Sequence, residues 1–184
     1  MITLDGALRR IDGAIDELPM VLTPLTGAVG GCLGEDIIAP FNVPDFDNSA
    51  MDGIAVRVFD LKGHGPWTLP IQAVIAAGDS INEPLLPKNV VKIMTGAPML
   101  PGADTVIPIE DIQIDDNKAI ITERPEKGKF VRPAGDDISK GHQLFRKGDV
   151  LGVIDIGALA SIGLSEVEVV SIVREPRGPC LNPI

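Results

Sequence analysis

Aromatic residues, cysteines and histidines are scarce in this chain of 184 residues. It has no tyrosine and one tryptophan, so it lacks the stacking side chains that bind single-stranded nucleic acids. The two cysteines, Cys32 and Cys180, are far apart, which excludes a disulfide framework and a zinc-ligand spacing. The two histidines, His64 and His142, have no Cys or His neighbour at ligand spacing, so a metal site built on histidine has almost no support. Nucleophilic catalysis by a Ser-His or Cys-His arrangement has almost no support either.

Long apolar runs are also missing. No run approaches the roughly 18 to 20 residues that span a bilayer, and the N-terminus lacks the basic-then-apolar layout of a signal peptide. We therefore expect a cytoplasmic protein without a membrane partner. The net charge of −10 disfavours binding to nucleic acid, although a local cluster of basic groups can still hold a small anionic ligand.

Helices are predicted near both ends of the chain. Apolar residues spaced by three and four predict an amphipathic helix with Thr3 as its N-cap and Pro19 as its stop. Its stripe consists of Leu4, Leu8, Ile11, Ile15 and Leu18. A second, short helix is predicted over 155–162 with Gly163 as its C′ residue, followed by a strand from Ser165.

The sequence pattern in the middle of the chain predicts β-structure. Short runs rich in β-branched residues alternate with Gly, Pro, Asn and Asp, which is typical of a small barrel or sandwich. The runs are 54–58, 67–75, 90–94, 105–109 and 118–122. The fold class is therefore predicted as α+β and β-rich. A small all-β domain (47–137) is inserted into an α/β domain formed by both chain ends (1–46 and 138–177), and 178–184 form a tail.

The segment 44–53 is the most polar stretch that could carry chemistry. Its hydrogen-bonding side chains are Asp45, Asp47, Asn48, Ser49 and Asp52. Because unpaired carboxylates are costly to bury, the segment is expected at a surface or lining a cleft. The dipeptides Asn-Ser and Asp-Gly are typical of turns, in which Gly53 is free to take positive φ.

Three more clusters are candidates, each with a plainer alternative. Thr95 lies at the end of a predicted strand and precedes a loop that contains glycine and proline. The backbone of this loop can approach a ligand closely, or the loop is an ordinary turn at a strand end. Arg132 and Asp137 flank a glycine turn, where they can bind phosphate and Mg²⁺ or pair with each other. The strand end 109–111 carries two carboxylates, for which solvation is the simplest role.

Together these clusters resemble the N-terminal region of MoeA, the molybdopterin molybdenumtransferase, and the E domain of gephyrin. The matching words, in order, are Pro-Asp-Phe-Asp-Asn-Ser-Ala-Met-Asp-Gly (44–53), Ile-Met-Thr-Gly-Ala-Pro (93–98), Pro-Gly-Ala-Asp-Thr-Val-Ile (101–107), Val-Arg-Pro-Ala-Gly-Asp-Asp-Ile (131–138) and Ile-Gly-Ala-Leu-Ala-Ser-Ile-Gly (156–163). The resemblance covers residues 1–177.

The resemblance implies a homodimeric transferase of molybdenum cofactor biosynthesis. Such a protein inserts molybdate into molybdopterin, released from an adenylylated intermediate with a divalent cation such as Mg²⁺. The cleft lies between this region of one subunit and a later domain of the other. A separate molybdopterin-adenylating protein is a further candidate partner.

The family's functional residues fall on specific positions of this sequence. The resemblance makes Asp52, Thr95 and Asp137 the catalytic candidates, with Asp52 and Asp137 as the metal-binding carboxylates. The ligand-binding candidates are Asp47, Asn48, Ser49 and Arg132, the last of which neutralises phosphate or organises the turn.

The sequence also departs from the family pattern. Ile54 replaces the usual tyrosine, and the spacer before Gly135 is longer than usual. The later domain is not in this sequence, so the chain alone is expected to be catalytically incomplete. The alternative is a non-catalytic dimerisation or binding scaffold in molybdenum cofactor assembly.

Overall fold

A computed structural model of the chain describes residues 2–14, 18–80 and 83–170. Fifteen elements follow one another, and they are α1 (Leu4–Asp12), β1 (Met20–Pro24), β2 (Cys32–Leu33), β3 (Ile37–Ile38), β4 (Asn48–Ser49), β5 (Gly53–Val56), β6 (Trp67–Ile75), β7 (Val90–Ile93), β8 (Thr105–Pro108), β9 (Ile112–Asp115), β10 (Lys118–Ile121), β11 (Val131–Arg132), β12 (Gln143–Phe145), α2 (Val153–Ser161) and β13 (Glu166–Val170). The chain is β-rich with two helices, which confirms the predicted α+β class.

The chain divides into two compact units. The first contains Met1–Ala39 and His142–Ile184, and the second contains Pro40–Gly141. The second unit thus begins before residue 47 and ends after residue 137, the boundaries predicted from the sequence. The reason is that Val43 and Ile138 exchange backbone hydrogen bonds of 2.8 and 3.0 Å, which tie both flanks to the second unit.

The first helix, α1, is shorter than its apolar pattern predicts. Thr3 is its N-cap, as expected, because the hydroxyl of Thr3 accepts a hydrogen bond from the amide of Gly6 at 3.2 Å. The helix ends at Asp12 with Gly13 as its C-cap, so the prediction that it continues to Pro19 is wrong. Glycine is a poor helix former, which accounts for the early stop. The predicted stripe residue Ile15 lies outside the described residues.

The first unit also contains a three-stranded antiparallel sheet, ordered β1-β13-β2, and the pair β12–β3. Val167 and Val169 of β13 are buried, while Glu166 and Glu168 are exposed, as the predicted alternation requires. Helix α2 begins before residue 155, because the Asp155 carboxylate accepts the Gly152 amide at 2.7 Å and so caps the first turn. Gly163 follows the helix with a φ of +83°, as predicted.

The second unit is built on a six-stranded sheet ordered β8-β5-β7-β6-β10-β9. Only the β6–β7 pair is parallel. The sheet buries an apolar cluster on each face, one containing Val91 and Ile93 and the other containing Ile54 and Val90. Residues 40–80 and 83–141 contain no α-helix, in keeping with the predicted all-β insertion.

No helix in the described ranges is long and apolar enough to cross a membrane.

Candidate functional site

The two-residue strand β4 joins three of the sequence clusters. Its residues Asn48 and Ser49 pair with Arg132 and Val131 of β11. On its other side, the Ser49 amide donates to the Ala97 carbonyl at 3.0 Å, and the Ser49 carbonyl accepts the Gly96 amide at 2.8 Å. The loop after Thr95 and the turn after Arg132 therefore flank one short strand, with Asp52 three residues beyond it.

Asp52 and Thr95 form a direct contact. One carboxylate oxygen of Asp52 accepts two hydrogen bonds of 2.7 Å, from the amide and from the hydroxyl of Thr95. Both residues are otherwise exposed to solvent. The structure thus brings together two of the three catalytic candidates.

These hydrogen bonds set the charge of Asp52. The Thr95 amide, then the Thr95 hydroxyl, lower the pKa of Asp52 below its ordinary value of 3.8. Partial desolvation opposes this shift, and the positive charge of Lys92, the smallest of the four causes, lowers the pKa further. Asp52 is therefore a carboxylate at neutral pH, able to offer its second oxygen to a cation.

Arg132 and Asp137 pair with each other, which is the plainer of the two alternatives for this turn. One guanidinium nitrogen of Arg132 lies 2.7 Å from both carboxylate oxygens of Asp137. Its Nε lies 3.3 Å from Asp136. The hydrogen bonds that Arg132 donates to Asp137 and then to Asp136 raise the pKa of Arg132. Two carboxylates thus surround one guanidinium, so the group carries a net negative charge.

Asp136 was not among the residues that the sequence pointed to. Its position four residues after Arg132 was the available signal, because residues at that spacing can meet within a turn.

Asn48 and Ser49 correct the expectation that the whole polar segment lies at a surface or lines a cleft. Their exposed fractions are 6% and 1%. The Asn48 amide donates to the Phe46 carbonyl at 3.4 Å, and the Ser49 hydroxyl donates to the Met51 carbonyl at 2.6 Å. Local hydrogen bonds thus offset the cost of burying these polar groups. No buried side-chain nitrogen or oxygen in the described ranges lacks a partner.

Asp47 remains exposed, yet one of its oxygens is engaged. It accepts the amide of Ala134 at 2.8 Å, inside the turn that carries Arg132 and Asp137. The Asp47 carbonyl accepts the Met99 amide at 2.9 Å. Asp47 therefore links the loop after Thr95 to the turn after Arg132.

Gly53 and Ile54 have structural roles. Gly53 is in the extended strand β5 and does not take positive φ, contrary to expectation. It is needed for space, because a Cβ atom there would collide with the carbonyl oxygen of Ile107 in β8. Ile54, at the position of the family tyrosine, is fully buried in an apolar cluster.

The fourth cluster lies beside the same loop. The Ile109 amide donates to the Asp52 carbonyl at 3.0 Å, so the strand end 109–111 is attached to the residue at the centre of the site. Glu110 and Asp111 line a cavity of about 480 Å³ together with Lys129 and Phe130. Both side chains are exposed, so the solvated role expected from the sequence stays a prediction.

The residues of this constellation fit a divalent cation only in part. The described residues contain no group of three His, Cys, Asp or Glu side chains able to hold a metal ion. Magnesium is commonly held by one or two carboxylates, with water and substrate phosphates completing its shell. Asp52, with one oxygen unused by Thr95, suits that mode of binding. Asp137 does not as it stands, because Arg132 occupies both of its oxygens.

Comparison with known proteins shows the family of the chain. The family model described as "MoeA N-terminal region (domain I and II)" matches residues 2–163. The chain belongs to the MoeA N-terminal region family. The match includes Asp52, Thr95, Arg132 and Asp137.

Two curated relatives and one solved structure show the extent of the similarity. Molybdopterin molybdenumtransferase of Haemophilus influenzae is 36% identical over 173 residues, covering 91% of this chain and 42% of the relative. Molybdopterin molybdenumtransferase 2 of Mycobacterium tuberculosis is 37% identical over 152 residues, covering 81% and 38%. The molybdopterin biosynthesis MoeA protein of Pyrococcus horikoshii superposes with a TM-score of 0.84 at 29% identity, covering 92% and 44%. The chain thus spans about two fifths of the length of the relatives it matches.

Proposed function

We propose that this chain supplies one wall of a composite site that inserts molybdate into molybdopterin during molybdenum cofactor biosynthesis. The observation that carries the proposal is the contact of Asp52 with both the amide and the hydroxyl of Thr95. Such a contact fixes a carboxylate at a strand end while leaving one oxygen free. Strand β4 holds the Arg132 turn beside it, so the side chains form a constellation rather than four isolated motifs.

Each residue has a role in the proposal. Asp52 would hold Mg²⁺ through its unused oxygen, and the cation would supply positive charge to the phosphates of adenylylated molybdopterin. Thr95 orients the Asp52 carboxylate and keeps it ionised. Arg132 and Asp137 organise the turn that faces the ligand, and Asp137 would bind the cation only after Arg132 had released one of its oxygens. Asp47, Asn48 and Ser49 contribute through the position they give to the neighbouring loops.

The other wall would come from a domain that the relatives contain beyond the matched region. The adenylylated pterin would come from a separate molybdopterin-adenylating protein. The exposed apolar stripe of α1, with Leu4, Leu8 and Ile11 exposed by 75%, 49% and 54%, supports homodimerisation. Light scattering of the chain is expected to give the mass of a dimer, and substitution of Leu8 by Arg to give a monomer. A wild-type monomer at high concentration would remove this part of the proposal.

The test of the main proposal is reconstitution. The purified chain is mixed with adenylylated molybdopterin, molybdate and Mg²⁺, with and without the C-terminal part of the Haemophilus influenzae relative added in trans. We expect no molybdenum cofactor from the chain alone and formation of cofactor when the missing part is present. Formation by the chain alone would refute its catalytic incompleteness. Failure of both mixtures would favour the non-catalytic scaffold.

A matched pair of variants sharpens the experiment. Asp52→Asn removes the charge that Thr95 positions, whereas Asp45→Asn removes an equal charge from an exposed residue of the same segment. The proposal expects the first variant to lose at least about tenfold in rate, the effect of about 1.4 kcal/mol in the barrier. The second should keep the wild-type rate. Equal losses would indicate a general charge effect and not a site at Asp52.

A further inference from the structure

Lys92 is a charged residue beside a buried apolar cluster of the six-stranded sheet. Its neighbours Val91 and Ile93 are buried in one cluster of the second unit. Val90 belongs to the opposite cluster, together with Ile54, which is the partner of Lys92 in the β5–β7 ladder. Because side chains alternate along a strand, Lys92 shares the face of Val90 and Ile54. It stands at the end of that apolar face.

The side chain of Lys92 is half-buried and lacks a carboxylate partner. None of the ion pairs in the part of the chain that the structure describes includes it. Partial burial of an ammonium group is costly unless an opposite charge compensates it. In a chain with 26 acidic and 16 basic residues, a half-buried lysine without a salt bridge is available to a ligand.

The position of Lys92 relates it to Asp52 and Thr95. Gly53 pairs with Ile93, so Asp52 immediately precedes the ladder in which Lys92 lies. Diagonal neighbours across an antiparallel pair are close enough for long side chains to meet. The positive charge of Lys92 also contributes to the lowered pKa of Asp52, which is consistent with this proximity.

The other basic residue of the site is already neutralised. Arg132 is bound by Asp136 and Asp137, so it has no charge to spare for an anion. Asp52 and Thr95 alone would repel an anionic ligand through the Asp52 carboxylate. Within the described ranges, Lys92 is the cation of this constellation that forms no ion pair with a carboxylate.

We propose that Lys92 binds a tetrahedral oxyanion beside the Asp52–Thr95 pair. This inference rests on the proposed function and adds to it the positive charge that an anionic substrate requires. The oxyanion is molybdate or the phosphate group of the pterin, which share their shape and negative charge. An ammonium group donates up to three hydrogen bonds to such an ion and serves as a point charge for it.

The test is an NMR titration of the isotope-labelled chain at neutral pH. Sodium molybdate, inorganic phosphate and, as a control for ionic strength, sodium chloride are added separately. In the wild-type chain we expect saturable shifts of the Thr95 and Lys92 amides with molybdate or phosphate and none with chloride. The tighter-binding ion identifies the source of the oxyanion. Absence of saturable shifts with both ions would overturn the proposal.

Variants locate the binding group. Lys92→Met keeps a long apolar stem and removes the charge, and it should weaken oxyanion binding by roughly tenfold, the loss of one charge-assisted hydrogen bond. Lys92→Arg should retain most of the binding. Lys118→Met makes the same charge change at an exposed residue of β10 and should leave binding unchanged. Wild-type affinity in Lys92→Met, or equal weakening in Lys118→Met, would refute the role of Lys92.

These results are separable from those of the reconstitution. Binding that depends on Lys92 with no cofactor formed would refute the proposed function while leaving the oxyanion site. Suppose instead that cofactor formation depends on Asp52, while the Lys92→Met variant binds the oxyanions and forms cofactor as well as the wild type does. That result would refute the oxyanion site and leave the proposed function standing.

Discussion

Substitution of Gly53 by alanine tests whether strand contact positions the candidate site. Gly53 is the first residue of β5 and lies next to Asp52. A Cβ atom at this position would overlap the carbonyl oxygen of Ile107, and would lie 2.9 Å from the Ile107 carbonyl carbon and 3.1 Å from the Cα of Pro108. All three are backbone atoms, so no rotation of a side chain can relieve the collision. Strands β5 and β8 would have to move apart.

The cost follows from the type of collision. Forcing one extra carbon into a well-packed interior costs about 1 to 3 kcal/mol. For a domain of about 60 to 100 residues, each lost kcal/mol lowers the melting temperature by about 4 to 8 °C. Separation of the strands would also strain the 3.0 Å hydrogen bond from Ile109 to the Asp52 carbonyl. We therefore expect Gly53→Ala to lower the melting temperature by at least about 4 °C and to perturb the Thr95 amide signal.

Calorimetry and amide spectra provide the measurement. Gly157→Ala is the control, because a Cβ at this exposed position in α2 meets no atom within 4 Å. Alanine is the better helix former there, so this variant should gain about 0.5 to 1 kcal/mol. If the Gly53→Ala variant had the melting temperature of the wild type and an unshifted Thr95 amide signal, the contact between β5 and β8 would not be what holds Asp52 in place.

Three further predictions concern the same segment. Thr95→Val removes one of the two hydrogen bonds to Asp52, so NMR titration should give a higher Asp52 pKa than in the wild type. In the wild type, the interaction stabilises the fold above pH 3.8, and this stabilisation is lost as the pH falls through the lowered pKa of Asp52. An unchanged Asp52 pKa in the variant would contradict the contact. Ser49→Ala leaves the partly buried Met51 carbonyl without its hydroxyl donor and should destabilise the chain by about 1 to 3 kcal/mol in denaturant unfolding. Asp47→Ala should accelerate hydrogen exchange at the Ala134 amide, and unchanged exchange would show that the turn holds without it.

The predictable part of the fold is the part that local patterns determine. Strand β6 has the predicted bounds, 67–75, and β7, β8 and β10 start at the predicted residues. Their β-branched runs are bounded by glycine, proline and asparagine, which end strands for local steric reasons. The predicted span of α1 was too long because periodicity alone does not register where a glycine ends a helix.

The short strands could not be read from the sequence. Strands β4 and β11 have two residues each, too few for alternation to be detected. They exist because Ser49 meets Val131, a partner more than eighty residues away in sequence. Only tertiary structure brings such residues together, so the sequence could suggest that the clusters act jointly but not which atoms connect them.

The buried pair in the polar segment explains why its exposed members are well placed. Asn48 and Ser49 turn their side chains back onto nearby carbonyls, while their backbone groups bond to chain segments on both sides. A buried backbone leaves few alternative registers, because each shifted register would leave polar groups without partners. Asp47 and Asp52, on either side of this pair, therefore emerge at fixed points. Asp47 meets the Arg132 turn and Asp52 meets Thr95. The polar residues that do not reach solvent thus determine where the Asp52 carboxylate lies, and their loss should displace Asp52 even though neither of them contacts it through a side chain.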